Sequence, residues 1–242
     1  MAINPAGLEM LVKLLREAPA PRRVLCLGYP DMLVTEPQLA AICGERAAPR
    51  IRYREDSREI LRWHRLEAQM DRVAETRSVF AALDIESDFA DISPTRGFEI
   101  AVDLNQPAPE HLLGRYDLVY DGGTLEHCFN VGQVMRNITA FARVGGFMVH
   151  VNPLNYFNHG FFNFNPTFYH DWYTQSGNEV VTPYYAIFGP VLSPQVVTLE
   201  ATRAFAQAPE RAVLMVAARK KVDAPQSWPM QSKYLEHPGL KA

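Results

Sequence analysis

Residues 116–130 read YDLVYDGGTLEHCFN, and this stretch decides how the rest of the chain is interpreted. Its first five residues are mostly apolar, aromatic or β-branched, and an Asp-Gly-Gly turn signal follows at 121–123. The pattern predicts a buried strand over residues 116–120. Because α/β proteins bind ligands where parallel strands end, Glu126 and His127 are predicted to lie at the binding edge of a sheet.

Helices and strands alternate on both sides of this stretch. Downstream, residues 131–143 predict a helix that a glycine pair closes, and the apolar residues 147–151 predict the next strand. Upstream, residues 22–28 read RRVLCLG and predict a first strand that ends at Gly28, where the backbone must turn sharply. This alternation predicts an α/β fold built on a parallel sheet.

Two further strands are predicted between these, and each ends near an aspartate. Residues 87–93 read SDFADIS, with Asp91 close to their carboxyl end. Residues 98–105 read FEIAVDLN, with Asp103 in the corresponding place. The two carboxylates are therefore predicted to lie at the same edge of the sheet as the first strand's terminal glycine.

The order of strand, acidic turn, Glu-His pair, helix, Gly-Gly and strand resembles the fourth and fifth strands of class I S-adenosylmethionine (SAM) dependent methyltransferases. The resemblance is closest to the Glu-His-bearing group that includes the ubiquinone-biosynthesis O-methyltransferases. As a pattern it covers about residues 21–220, and it is specific over 117–153. It implies a Rossmann-like α/β fold with a mostly parallel seven-stranded sheet. The long segment after the first βα unit is unusual for the family, and its helical spacing predicts a helical insertion there. The sheet should end in an antiparallel hairpin of residues 178–188 and 212–218, joined through the loop 190–194.

The resemblance also implies SAM as the cofactor and a small-molecule acceptor that is methylated at a hydroxyl oxygen. In such enzymes the position of Asp91 accepts hydrogen bonds from the ribose hydroxyls, the position of Asp103 reaches the adenine amino group, and Leu104 would pack on the adenine ring. The implied cofactor-binding residues are Gly28, Tyr29, Asp31, Asp91, Ile92, Asp103, Leu104, Asp121 and Gly122. A turn cap before Pro94 is the alternative interpretation of Asp91.

The loop after the first strand departs from the family pattern. It reads Gly28-Tyr29-Pro30-Asp31-Met32, with one glycine where the family normally has several. Either the loop bends differently or the cofactor site is weakened, and an ordinary turn with Asp31 as a helix N-cap is the alternative. The departure motivates a second hypothesis, a catalytically inactive protein that serves as a binding or assembly partner. A nicotinamide dehydrogenase is disfavoured, because the chain has neither Gly-x-Gly-x-x-Gly nor Tyr-x-x-x-Lys.

His127 is the candidate general base. A histidine near neutral pH can take the proton from a hydroxyl as it attacks the methyl group, and Glu126 could orient the base or help to bind a cation. The ubiquinone O-methyltransferases have a Glu-x-x-Glu-His array linked with a divalent metal. Here Gly123 stands at the first position, so no metal site is predicted. The alternative is a histidine at a helix N-terminus whose hydrogen bonds the backbone satisfies.

Aromatic side chains are dense over residues 156–173 and are mixed with asparagines rather than charges. Such a segment is typical of an acceptor pocket with apolar walls and a few hydrogen-bonding groups. The predicted substrate-side residues are Asn152, Asn155, His159 and Asn163. A loop packed over its own aromatic side chains is equally compatible with the pattern.

Composition limits the remaining choices. With 242 residues and 48% apolar content the chain can bury one core, which predicts a single domain over 1–242 with a helical insertion at 45–85 and a tail at 222–242. The net charge of -3 predicts neither a nucleic-acid nor a membrane partner, and a homodimer is left open. Three cysteines without a Cys-x-x-Cys pair, and no long apolar span, predict a cytoplasmic protein. The arginines at 50–65 are interpreted as a solvated face, with a docking surface for a phosphorylated or carboxylated substrate as the alternative.

Overall fold

The computed structural model describes residues 2–201, 203–205, 207–224 and 227–235. Within them the helices are α1 (Pro5–Glu17), α2 (Glu36–Cys43), α3 (Ser57–His64), α4 (Thr76–Ala82), α5 (Val131–Phe141), α6 (Pro166–Gln175) and α7 (Ser232–Leu235). The strands are β1 (Ala2–Ile3), β2 (Arg22–Leu27), β3 (Asp31–Met32), β4 (Ile85–Asp91), β5 (Ile100–Ala101), β6 (Tyr116–Asp121), β7 (Ala142–Pro153), β8 (Glu179–Val180), β9 (Tyr184–Phe188), β10 (Gln195–Leu199) and β11 (Val213–Arg219). Single turns of 3₁₀ helix lie at Ala48–Arg50, Glu110–Leu112 and Leu125–His127.

One mixed sheet organises the described residues. Its strand order is β10-β9-β11-β7-β6-β2-β4-β5, with β8 also paired to β11. The pairs from β5 to β7 are parallel, and those from β7 to β10 are antiparallel. Strand β2 has β4 on one side and β6 on the other, so the strand order reverses beside it. Such a reversal opens a crevice at the carboxyl ends of the strands, where α/β sheets bind ligands.

Hydrophobic cores cover both faces of the sheet. Alternate residues of β2 point to opposite sides: Val24 and Cys26 pack in the core that includes α1 and α4, whereas Leu25 and Leu27 pack with α5 and α6. Burial on both faces explains why the parallel strands read as continuous apolar runs. Polar side chains lie instead at the carboxyl ends of strands, such as Asp91 at the end of β4 and Asp121 at the end of β6.

The predicted seven-stranded sheet is wrong in its details. The described part of the sheet has nine strands and is mixed. The loop 190–194 joins β9 to β10, rather than leading to the last strand β11. Residues 195–199 read QVVTL, and their β-branched side chains favour the additional edge strand that the sequence analysis did not assign.

Two predicted boundaries also differ. The strand expected over 98–105 is only Ile100–Ala101, because the Glu99 carboxylate accepts the Arg96 N–H at 2.7 Å in a turn before it and another turn begins at Asp103. Helix α5 ends at Phe141 rather than 143, and β7 follows without a loop.

The helical insertion contains two short helices, α3 and α4. Its arginines find carboxylates within the protein: Arg50 pairs with Asp84 at 2.9 Å, and Arg54 pairs with Asp31 at 3.3 Å. The Arg50 side chain is 53% exposed, as the solvated-face interpretation expects, whereas the Arg54 side chain is only 13% exposed. Of the predicted tail, residues 225, 226 and 236–242 lie outside the described residues. No helix in the described ranges has the length and apolar character to cross a bilayer.

Candidate active site

A hollow of about 240 Å³ lies at the carboxyl ends of β2, β4 and β6, and is called the strand-tip hollow. It is lined by Gly28, Ala90, Asp91, Ile92, Val102, Asp103, Leu104, Asn105, Gly123, Thr124, His127 and Cys128. The chain thus brings together six of the predicted site residues from four separate segments. Gly28 has a φ of 80°, a left-handed conformation that glycine adopts without strain, and this lets the chain leave β2 beside the hollow.

Asp91 and Asp103 each use one carboxylate oxygen to hold a turn. Oδ1 of Asp91 accepts the Ser93 N–H at 2.9 Å, and Oδ1 of Asp103 accepts the Asn105 N–H at 2.9 Å. These are the local caps that the alternative interpretation of Asp91 expected. Both side chains nevertheless line the hollow, so the turns present two carboxylates to whatever binds there.

Tyr29 and Asp31 do not line the strand-tip hollow. The Tyr29 ring is buried against Phe89 and Phe98, with centroids at 4.7 and 5.5 Å. Asp31 belongs to β3, and its carboxylate lies 3.0 Å from Nε2 of His64. The sequence expectation for these two positions is wrong, because the pairing of β1 with β3 carries the loop away from the hollow. The bulky loop therefore leaves the hollow open.

Asp121 is fully buried and forms the base of the site rather than its wall. Its Oδ1 accepts the N–H groups of Thr124 and Leu125, at 3.0 and 3.2 Å. Its Oδ2 lies 3.0 Å from both His150 Nδ1 and Asn152 Nδ2. These bonds fix the turn that presents the next residues. Asp121 lines neither hollow of this site.

A second hollow, of about 260 Å³, lies on the other side of this turn and shares Gly123 with the first. It is lined by Ala2, Asn4, Leu33, His64, Tyr120, Gly122, Gly123, Glu126, Val151, Pro153, Tyr156, His159, Ile187, Phe188, Gly189, Pro190, Val191, Pro194, Arg211 and Val213. Gly122, expected on the cofactor side, lies here instead. The two hollows meet beside Glu126 and His127, which line one each.

Three side chains converge where the hollows meet, and they are called the central cluster: Glu126, His127 and His159. Oε1 of Glu126 lies 3.9 Å from Nε2 of His127 and 3.7 Å from Nε2 of His159. The two imidazole rings are 5.2 Å apart. Glu126 is buried while both histidines are about half exposed. His159 was predicted to lie on the substrate side, and no sequence pattern marks its position beside Glu126 and His127.

Burial sets the protonation of the central cluster. Burial, and then the charge of Asp121, raise the pKa of Glu126 to about 7, against a hydrogen bond from Asn152 that lowers it. Burial lowers the pKa of His127, with His159 as a second cause, and burial also lowers the pKa of His159. Near neutral pH both histidines are therefore mostly uncharged and can accept a proton.

The pKa of Glu126 predicts a measurable effect on stability. Because the pKa is raised in the folded state, the folded protein holds this proton more tightly, and the associated stability is lost as pH rises from about 4.5 to about 7. We expect Glu126→Gln, which is uncharged at every pH, to gain about 2–3 kcal/mol of stability relative to the unaltered protein between pH 5 and pH 8. Denaturant unfolding of both proteins in EDTA, at matched pH values, measures this difference, and a constant difference would contradict it.

The predicted substrate-side asparagines form hydrogen bonds within the protein and do not line either hollow. Asn152 is fully buried and donates to both Asp121 and Glu126 at 3.0 Å, while Tyr169 donates to its side-chain oxygen at 2.6 Å. Oδ1 of Asn163 accepts the Tyr156 N–H at 2.7 Å. Asn155 likewise bonds to the backbone on either side of Glu210-Arg211. Only His159 of that predicted set lines the second hollow.

A glycine docks the aromatic loop onto this site. A Cβ at Gly160 would lie 2.7 Å from the Glu126 carbonyl oxygen, too close for any other residue, and the Phe161 N–H donates to that oxygen at 2.8 Å. Because His159 directly precedes Gly160, this close approach places the His159 side chain in the central cluster. No pattern in the sequence indicates that Gly160 contacts Glu126.

The central cluster is also a set of possible metal ligands. The Glu126 oxygen and one ring nitrogen from each histidine lie within 4.8 Å of one another. A carboxylate and two imidazoles are a ligand set that zinc and related divalent cations accept. No metal site was predicted, because Gly123 lacks a carboxylate; His159, from a distant segment, supplies the third possible donor instead.

Comparisons with known proteins give distant structural matches and no sequence match. No family model matches the chain, and no curated protein matches it. Among solved structures, 1,6-didemethyltoxoflavin-N1-methyltransferase of Burkholderia thailandensis, crystallised with S-adenosylhomocysteine, is 12% identical; the match covers 90% of this chain and 78% of that one, with a TM-score of 0.46. The methyltransferase domain of the citrinin polyketide synthase is 12% identical, covering 91% and 52%, with a TM-score of 0.48. A SAM-dependent methyltransferase of Archaeoglobus fulgidus is 14% identical, covering 88% and 94%, with a TM-score of 0.43. The chain thus spans about half the length of the second of these structures.

Proposed function

We propose that the protein is a SAM-dependent methyltransferase that acts on a small-molecule acceptor at a hydroxyl oxygen. One observation carries the proposal: Gly28, Asp91 and Asp103 line a single hollow, and that hollow meets a second one beside Glu126 and His127. A methyl donor and an acceptor held in adjoining hollows would have their reacting groups next to each other. Holding two reactants in this way can lower a barrier by about 7–11 kcal/mol.

The strand-tip hollow is the donor site in this proposal. Asp91 would accept hydrogen bonds from the ribose hydroxyls, Asp103 from the adenine amino group, and the buried side chain of Leu104 would pack on the adenine ring. When bound, SAM supplies a methyl group on a sulfonium, which is a good leaving group. Little chemistry beyond positioning and proton removal is then left to the chain.

His127 is the proposed general base. It lines the donor hollow, its Nε2 lies 3.9 Å from the Glu126 carboxylate, and its lowered pKa keeps it uncharged near neutral pH. It can therefore take the proton of an acceptor hydroxyl that lies in the second hollow. Glu126, fixed by Asn152, would then stabilise the imidazolium that forms.

Methyl transfer is proposed to need no metal. A divalent cation, if one bound, would be held by Glu126, His127 and His159 and would lower the pKa of the acceptor hydroxyl. The base mechanism predicts that the rate stays within about twofold after treatment with EDTA and removal of the chelator. A rate that is abolished by this treatment and restored by one added divalent cation would assign the central cluster to a metal instead.

The experiment that tests the function is a search for the acceptor. The protein is incubated with a metabolite extract and SAM labelled with deuterium in its methyl group, and products that gain the labelled methyl are identified by mass spectrometry. A labelled product supports the proposal. The alternative, a catalytically inactive protein that serves as a binding or assembly partner, predicts no labelled product and no binding of SAM or S-adenosylhomocysteine.

We further propose a single domain that works in the cytoplasm, without a nucleic-acid or membrane partner. One sheet running through the described residues supports the single domain. Cys26, Cys43 and Cys128 are free thiols, and two of them are buried, which is compatible with a reducing compartment. Whether two copies associate is measured by light scattering of the purified protein.

A further inference from the structure

The second hollow has mostly apolar walls and one cation whose charge is not paired. Leu33, Val151 and Val213 are among the apolar wall residues, and Tyr120 and Tyr156 add aromatic faces. Within the part of the chain that the structure describes, Arg211 is exposed at the rim of the hollow and forms no salt bridge; it donates to the Tyr156 hydroxyl at 2.8 Å. His64, by contrast, is paired with Asp31. An unpaired guanidinium in a substrate hollow points to an anionic ligand.

The backbone around Arg211 is fixed by Asn155, the neighbour of Tyr156 in the chain. Asn155 accepts the Ala212 N–H at 2.7 Å and donates to the Pro209 carbonyl at 2.6 Å, so it bonds to the backbone on either side of Arg211. Arg211 itself has a φ of 52°, which is uncommon for a residue with a side chain. Strained backbone of this kind persists where its surroundings fix it, and it is concentrated at ligand-binding positions.

The Arg211–Tyr156 pair also lies near the central cluster. The guanidinium carbon is 4.9 Å from the centroid of the Tyr156 ring, and that ring is 5.2 Å from the ring of His159. His159 in turn lies 3.7 Å from Glu126. Tyr156 therefore contacts both the guanidinium and a member of the cluster, and an aromatic ring of a ligand packed along Tyr156 would lie between them. The hollow's volume of about 260 Å³ suits a ligand of that small size.

We propose that the acceptor is a small hydroxy acid with a single aromatic ring, whose carboxylate binds Arg211 and Tyr156 and whose hydroxyl faces the central cluster. Nη2 of Arg211 already donates to the Tyr156 oxygen, so the tyrosine hydroxyl hydrogen is free to donate to the carboxylate. The guanidinium supplies further N–H donors to the same group. This inference rests on the proposed function for the role of the cluster, and names the chemical class of the acceptor.

Calorimetry with a matched panel tests the inference. The full chain, with and without saturating S-adenosylhomocysteine, is titrated with 3-hydroxybenzoate, 4-hydroxybenzoate, 3,4-dihydroxybenzoate and the methyl ester of each. At least one acid is expected to bind about tenfold or more tightly than its ester, because the ester lacks the charge that Arg211 recognises. Arg211→Gln should remove that preference while leaving the ester's affinity and the affinity for S-adenosylhomocysteine unchanged.

Arg46→Gln is the matched control, since it removes the same charge from an exposed residue that lines neither hollow. It should bind the panel as the unaltered protein does. The inference is overturned if no acid binds at millimolar concentration, if acids and esters bind equally, or if Arg211→Gln keeps the preference. Failure of S-adenosylhomocysteine to bind in the same titrations would count against the proposed function instead, so the two failures are distinguishable.

Discussion

The His127→Ala variant is expected to transfer methyl groups about 10²–10⁴-fold more slowly than the unaltered protein, while its affinity for S-adenosylhomocysteine stays nearly the same. His127 lines the donor hollow where that hollow approaches the second one, and its lowered pKa leaves it free of a proton near neutral pH. Without it the acceptor hydroxyl loses the base that lines the donor hollow, and His159, which does not line that hollow, is the remaining imidazole of the cluster. Its imidazole is about half exposed, so removing it should disturb the fold little.

The measurement is the rate of label transfer from SAM to the acceptor found by the deuterium experiment, together with calorimetry of S-adenosylhomocysteine. His111→Ala is the control, because His111 is an exposed histidine that lines neither hollow. It should leave both values unchanged. Full activity of His127→Ala at neutral pH would exclude His127 as the base. If the affinity for S-adenosylhomocysteine fell by the same factor as the rate, His127 would act in cofactor binding instead.

Asp91→Ala is expected to weaken SAM binding by at least tenfold. In the proposed complex the Asp91 carboxylate accepts two hydrogen bonds from the ribose, and a hydrogen bond to a charged group contributes about 1.5–3 kcal/mol. Among the described residues Oδ1 alone has a partner, the Ser93 N–H at 2.9 Å, so the loss of this turn cap is the other consequence of the change. Equilibrium dialysis with radiolabelled SAM measures the affinity.

Two further variants separate the ribose contact from the turn cap. Asp91→Asn keeps an oxygen that can accept from Ser93 but loses the charge, so it should bind SAM with an affinity between those of the alanine variant and the unaltered protein. Glu86→Ala removes a carboxylate from the same strand, where its side chain is 70% exposed and far from the hollow's lining, and it should bind SAM normally. Unchanged affinity of Asp91→Ala would remove Asp91 from the ribose role.

The part of the site that could be predicted from sequence is the part that strand ends position. Asp91 and Asp103 each follow a run of strand-forming residues, and parallel strands bring such ends to one edge. Gly28 and His127 were placed by the same reasoning. This inference needs only the alternation of strands and turns. The position of Asp103 was therefore predicted correctly even though β5 is shorter than expected.

Contacts between distant segments could not be predicted in this way. Tyr29 and Asp31 leave the hollow because β3 pairs with β1, which is only two residues long and gives no sequence signal. The asparagines of the aromatic segment suggested substrate binding, yet Asn163 bonds to the Tyr156 backbone. Arg211 joins the second hollow through a hydrogen bond that spans 55 residues, and no local pattern marks it.

The central claim is that the strand-tip hollow binds the adenosine part of a methyl donor. Calorimetric titration of the full chain with S-adenosylhomocysteine tests it most directly. We predict one bound molecule per chain, with an affinity that falls at least tenfold in Asp91→Ala and is unchanged in Glu86→Ala. No detectable binding of either S-adenosylhomocysteine or SAM at millimolar concentration would contradict the claim.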